Sequence, residues 1–375
     1  MNLDCKKVIG FIITVLVVVK IGTSSVTDNG EIDVKSIRNL CDQVTTVKSE
    51  GHDVVIVTSG AVTAGIQALG FNRKEISDID ILQAASAIGQ SKLMAVYDEG
   101  FKENGLLAGQ VLLAPLDFIN RNQYLKARDT FEKLLELGVI PVVNENDAIA
   151  DEELRFGDND RLSALVAHLL NADVLLMLTD QEGVFTADPR LVPHAKLIEE
   201  VEYLDLETLE IGGGPGTDGG SGGMASKLQA AKIATWSGVK VIIAASERNN
   251  VVVDVVVNNL SVGTSIAPLE RRLSARKLWI AFASMSKGKI VIDEGARAAI
   301  AERGKSLLPA GITVVIGKFS SGDAIDILGP SNDKVAKGII GMDSSEVLRW
   351  KGMRTQDLPE GVKHEVVHRD DMVIM

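Results

Sequence analysis

Val15-Leu-Val-Val-Val-Lys20-Ile-Gly-Thr-Ser-Ser25 is an apolar, mostly β-branched run that ends on a lysine and then opens into glycine and hydroxyl residues. Branching at Cβ suits a pleated strand, so Val15–Lys20 reads as a buried strand. The glycine and hydroxyl residues turn the chain at the carboxyl edge of a sheet, where open α/β folds bind ligands. Upstream, Lys6 and Lys7 stand before the apolar residues Val8–Val19, in the order of an export signal. Nine of those twelve residues are Val, Ile or Thr, and twelve are too few to span a bilayer as a helix, so the strand fits better.

Similar apolar runs recur outward from this one. Asp53–Thr58, Leu107–Leu113, Val139–Val143, Val174–Thr179 and Val239–Ala244 read as further strands. Amphipathic segments alternate with them: Val34–Glu50, Gly60–Leu69, Ile81–Glu103, Gln123–Leu137, Arg161–Leu170 and Ala225–Ser237 read as helices, each starting near a capping residue. This alternation predicts a doubly wound α/β domain with a parallel sheet. After the polar stretch Pro268–Lys277 the texture changes to short strands punctuated by Gly and Asp, and a small β-rich domain is expected.

Composition narrows the function classes. Of 375 residues 46% are hydrophobic, enough for a sizeable core and about two or three domains. Aromatic residues make up only 4%, so stacking surfaces are sparse. The formal charge of −12 lies entirely in residues 1–284, because residues 285–375 carry 13 basic and 13 acidic side chains. An acidic body and a neutral tail both argue against a nucleic-acid backbone as the main partner. Cys5 and Cys41 form neither a disulfide framework nor a paired metal motif, and a reducing, cytoplasmic compartment is expected.

Four polar strand ends carry candidate chemistry. Lys20 with Gly22–Ser25 can cradle a phosphate, although a strand-end turn with a solvated lysine explains that segment alone equally well. The stretch from Gly212 to Gly223 holds eight glycines in twelve residues and runs through Ser221, Gly222, Met224, Ala225 and Ser226 into Lys227, where a helix begins. A flexible linker is the competing account, but a lysine in the first helical turn favours an anion site. Asn144-Glu-Asn-Asp147 and Gly157-Asp158-Asn159-Asp160 can bind an ammonium group or a hydrated Mg²⁺, or can simply cap and turn. Thr179-Asp180 and Thr58-Ser59-Gly60-Ala61 complete the set.

Three other motifs fail on context. His364-Glu-Val-Val-His368 matches a zinc-protease pattern but lies in a Val-rich stretch near the end of the chain. Gly214–Gly219 matches a dinucleotide fingerprint but follows no strand, and Gly304-Lys305-Ser306 lacks the earlier glycine of a P-loop. No nucleophile elbow or Ser-His-Asp arrangement is evident, so covalent catalysis is not expected.

Taken in order, Val17-Val-Val-Lys20-Ile-Gly-Thr-Ser-Ser25, Val57-Thr-Ser-Gly-Ala61, Pro141-Val-Val-Asn-Glu-Asn-Asp147, Gly157-Asp-Asn-Asp160, Leu178-Thr-Asp180 and Gly222-Gly-Met-Ala-Ser-Lys227 resemble the amino-acid kinase family. Lys277-Leu-Trp-Ile280, Val291-Ile-Asp-Glu-Gly-Ala296, Ser306-Leu-Leu-Pro309 and His368-Arg-Asp-Asp371 resemble a PUA domain. The resemblance implies a three-layer αβα kinase domain at 15–267, a linker at 268–284 and a PUA-like domain at 285–375, with 1–14 as an extension. It further implies phosphorylation of the L-glutamate side-chain carboxylate by ATP, the first step of proline synthesis, in a homo-oligomer inhibited by proline.

By the same resemblance Lys20, Thr179, Asp180 and Ser221–Lys227 contact ATP, with Mg²⁺ on its phosphates. Ser59, Asn144, Asp147, Asp158 and Asn159 hold glutamate, Asp158 and Asp160 help to organise the site, and Lys20, Lys227 and Asp160 are the catalytic residues. The chain departs from the family at Ser221, where Thr is usual, at Asn120 and Lys126, where Asp and Asn are usual, and in an extra glycine insertion at 216–220. Rival expectations are a kinase of acetylglutamate, aspartate or carbamate, and a degenerate kinase fold that binds RNA through its PUA-like domain.

Overall fold

The computed structural model describes residues 14–71, 76, 78–149, 159–204, 223–269, 273–283, 286–359, 361 and 363–375. They divide into two compact units, 1–272 and 273–375. No helix among the described residues is long and apolar enough to cross a membrane.

In the first unit β1 (Leu16–Ile21) passes through a helical turn, α1 (Thr23–Val26), into a hairpin of β2 (Thr27–Asp28) and β3 (Glu31–Ile32). There follow α2 (Val34–Ser49), β4 (Asp53–Val57), α3 (Ala61–Ala68), α4 (Ile79–Glu103) and β5 (Ala108–Leu113). Next come α5 (Pro115–Ile119), α6 (Arg121–Glu136), β6 (Ile140–Glu145), α7 (Asn159–Leu169) and β7 (Val174–Thr179). The unit closes with β8 (Glu200–Val201), α8 (Met224–Trp236), β9 (Lys240–Ala245), α9 (Val251–Val256) and β10 (Thr264–Ile266).

Among the described residues these strands form one eight-stranded sheet in the order β5-β6-β4-β1-β7-β9-β10-β8. The six from β5 to β9 run parallel, with Val18 opposite Val55 on one side and Leu175 on the other. Only the short β10 pairs antiparallel with β9. Val17, Val18, Val19 and Val54–Val57 are fully buried, as strands covered on both faces must be. Alternation along β1 sends Val17, Val19 and Ile21 into a core shared with α2, α4 and α9, so Lys20 belongs to the opposite face. Within that core burial pushes the Cys41 thiol up to about 12.

Helix starts follow local chemistry. Asp33, Asp78 and Asn120 accept backbone N–H bonds at the starts of α2, α4 and α6, so Asn120 serves as a cap. The pair α3 and α4 crosses at backbone contact. A Cβ on Gly65 would stand 1.7 Å from the Ala85 carbonyl oxygen, and one on Gly89 would stand 1.8 Å from that of Ala61. Both glycines are fixed by this approach.

The second unit contains α10 (Ala275–Leu278), a π-helical turn at Trp279–Ala283, β11 (Ser286–Ile292), α11 (Glu294–Ala301) and β12 (Ile312–Gly317). It continues with β13 (Ala324–Leu328), β14 (Lys334–Ile340), α12 (Ser344–Trp350) and β15 (Val367–Ile374). Its five-stranded sheet has the order β12-β11-β13-β14-β15, antiparallel except for β11 beside β13. Ile290, Ile292, Ile325, Ile327 and Val347 build a core of its own. Part of the expected linker, 275–283, is helical here, with Leu278 and Ile280 buried. His368 of the His-Glu-Val-Val-His motif lies on β15 rather than on a helix.

Candidate active site

Because β1, β4, β6 and β7 run parallel, Lys20, Ser59, Asn144 and Thr179 arrive at one sheet edge. Lys20 points to the α7 side, where its Nζ lies 2.5 Å from Asp160 Oδ1. From the far end of the domain, Lys227 Nζ comes to 3.3 Å from Asp160 Oδ2. Ser226 donates its hydroxyl to the same oxygen at 2.8 Å. Lys20, Asp160 and Lys227 are 5%, 0% and 7% exposed, so three charges meet out of water.

Among the described residues one carboxylate stands between two ammonium groups in a low-dielectric setting, an arrangement that favours an anion beside the two cations. Asp160 sits in the first turn of α7, where the helix dipole favours a carboxylate. Lys227 sits in the first turn of α8, whose N-cap is Gly223 with no side-chain cap. The N–H groups of that turn, at Met224 and Ala225, add to the anion-binding character of the edge.

Beside this cluster lies a network of amides. Asn159 Nδ2 stands 2.6 Å from the Thr58 carbonyl, 3.0 Å from Ser59 Oγ and 2.7 Å from Asn144 Oδ1. Asn144 Oδ1 also accepts from the Glu145 backbone N–H at 2.9 Å, and its Nδ2 donates to Gln90 Oε1 at 2.8 Å. The Tyr97 hydroxyl lies 2.9 Å from Thr58 Oγ1, and burial pushes this phenol above its ordinary range. Gly60, with φ of +99°, adopts a left-handed conformation that turns the chain from Ser59 into α3.

At the end of β7 Thr179 donates its hydroxyl to Asp180 at 2.9 Å, and Asp180 is exposed. The Thr179 carbonyl accepts from Ser246 N at 2.7 Å, and Ser246 Oγ lies 2.9 Å from Ser25 Oγ, so the ends of β1, β7 and β9 are tied together. Asp147 is half-buried in the turn just past β6. Asp158, Ser221 and Gly222 lie outside the described residues.

The sequence-derived candidates thus form two groups, Lys20–Asp160–Ser226–Lys227 and Ser59–Asn144–Asn159. Gln90 and Tyr97 were missed. Their one signal is a glutamine and a tyrosine seven residues apart on a helix face that otherwise carries Gly89, Leu93 and Phe101.

The Amino acid kinase family matches this chain over residues 15–245, and the PUA domain over 288–362. The glutamate 5-kinase of Thermoanaerobacter sp. (strain X514) is 41% identical over 364 residues, covering 96% of this chain and 97% of its own. That of Vibrio vulnificus (strain YJ016) is 43% identical over 364 residues, covering 96% of each. That of Nocardia farcinica (strain IFM 10152) is 43% identical over 358 residues, covering 95% and 96%. With matches of this extent running through both units, the chain belongs to the amino acid kinase family and, within it, to the glutamate 5-kinases.

Proposed function

We propose that this protein transfers the γ-phosphoryl group of ATP to the side-chain carboxylate of L-glutamate, the first step of proline biosynthesis, in the cytoplasm. The observation that carries the reading is the convergence of Lys20 and Lys227, from opposite ends of the domain, on the buried carboxylate of Asp160. The name borne by the full-length relatives supports the choice of acceptor.

A glutamate carboxylate is ionised at neutral pH and needs no general base. One of its oxygens bonds to the γ-phosphorus as the bond to the β,γ-bridging oxygen breaks, which gives γ-glutamyl phosphate and ADP. The protein's task is to align two anions and offset the charge that spreads over the transferring group. Asp160 holds both ammonium heads in place for this. Lys20, Lys227 and the first-turn N–H groups of α8 face the phosphates, with Thr179 and Asp180 on the nucleotide side.

Among the described residues no group of three or more His, Cys, Asp or Glu side chains could hold a metal. Mg²⁺ on the ATP phosphates supplies further neutralisation when bound. Ser59, Asn144 and Asn159 hold the acceptor, and Asp147 pairs with its ammonium group. Proline carries the same α-carboxylate and ammonium centre, and competes there. A homo-oligomer is the working assembly.

A hydroxamate assay tests the reading, using purified protein, Mg-ATP, hydroxylamine and a panel of carboxylates. Turnover of glutamate is expected. Turnover of acetylglutamate but not glutamate overturns the acceptor, and absence of turnover with salt-sensitive RNA binding overturns the kinase reading.

A further inference from the structure

Two atoms in the amide network cannot exchange roles. The Thr58 carbonyl only accepts, and the Glu145 backbone N–H only donates. Thr58 O therefore identifies the group 2.6 Å away as the Asn159 amide nitrogen. Glu145 N likewise identifies the atom 2.9 Å from it as the Asn144 amide oxygen. That oxygen also faces the Asn159 nitrogen at 2.7 Å, so both readings agree.

Asn144 is then forced to turn its own NH₂ away from Asn159, and the group waiting there is Gln90 Oε1 at 2.8 Å. Gln90 is 6% exposed, and its Nε2 is buried with no partner among the described residues. Half of this amide is thus unused. What the position requires is an oxygen, because a buried NH₂ left without an acceptor costs about 1–3 kcal/mol.

We infer that Gln90 is a positioning residue for the acceptor site. It holds the Asn144 amide so that the oxygen faces Asn159, and this keeps the Asn159 NH₂ engaged with Thr58 and Asn144. The Asn159 carbonyl oxygen, with no hydrogen bond among the described residues, is left for the ammonium group of the acceptor. The inference rests on the proposed placement of the acceptor beside Asn159, and it extends that site to α4.

The test compares wild type, Gln90→Met and Gln90→Glu in the hydroxamate assay, varying acceptor and ATP separately. Methionine keeps the length and removes the acceptor oxygen. Glutamate restores an oxygen and, when protonated in this buried position, supplies it without charge. Gln90→Met is expected to raise the acceptor KM about tenfold while the ATP KM stays within about twofold. Gln90→Glu is expected to keep the acceptor KM within about threefold of wild type.

An unchanged acceptor KM in Gln90→Met, or an equal rise in both KM values, overturns the inference. If Gln90→Met does not fold, Gln90→Glu decides, and a tenfold or larger loss there overturns it. KM is read on whichever carboxylate the wild type turns over, so a wrong acceptor identity shows in the wild type and a wrong role for Gln90 only in the variants.

Discussion

Asp160 serves two ammonium groups at once, and this sets what each substitution around it does. Lys227→Ala is expected to lower kcat by about 10²–10³ while the ATP KM moves less than about threefold, since its charge acts mainly in the transition state. A large change in KM at equal kcat would refute that role. Asp160→Asn removes the carboxylate that two buried ammonium groups share, which costs about 3–5 kcal/mol. Thermal melts should show Tm lower by at least about 6 °C, and Mg-ATP should raise the variant's Tm more than that of wild type, because its phosphates return the missing negative charge. Equal shifts with ATP would count against the explanation. Lys20 and Lys227 were legible in the sequence because each ends or begins a regular element beside glycine. Both were expected at one phosphate site, but their sharing of the Asp160 carboxylate was not legible, since Lys227 and Asp160 are 67 residues apart and only the sheet order joins them.

At the level of elements, the crossing of α3 and α4 controls the acceptor side, because α3 begins two residues after Ser59 and α4 carries Gln90 and Tyr97. Gly89→Ala pushes a methyl group into the Ala61 carbonyl, and the helices must part. The expected cost is at least about 2 kcal/mol, with a rise in acceptor KM larger than that in ATP KM. A melt and initial rates check both, and unaltered stability would contradict the contact. Boundaries of the elements expected in the first unit were legible to within a residue or two, since apolar runs end at polar residues and residues able to cap, among them Asp33, Asp78 and Asn120, stand at the helix starts. The helix α9 was not legible. Val251-Val-Val-Asp-Val-Val256 has the β-branched composition of a strand, and burial of Val251, Val252 and Val255 against the core overrides that preference. The antiparallel β10, three residues long, offers too few positions for a pattern.

For the whole molecule, every described residue of the candidate site lies in the first unit, and the second has its own core. A chain ending at residue 272 is therefore expected to retain kcat within about threefold in the hydroxamate assay. Loss of turnover in a folded truncation would mean that the second unit contributes to the site. The change in texture after Pro268 was legible, whereas the helical fold of 275–283 was hidden by its charged residues Arg276 and Lys277.

The central place of β1 has a consequence for how the protein is made. This strand is synthesised before both of its partners, and one of its edges waits for residues 53–57 while the other waits for 174–179. At about 5–20 residues per second the second wait is on the order of ten seconds. Throughout it this valine-rich strand keeps one edge unpaired, the kind of segment that other chains can pair with until β7 is translated.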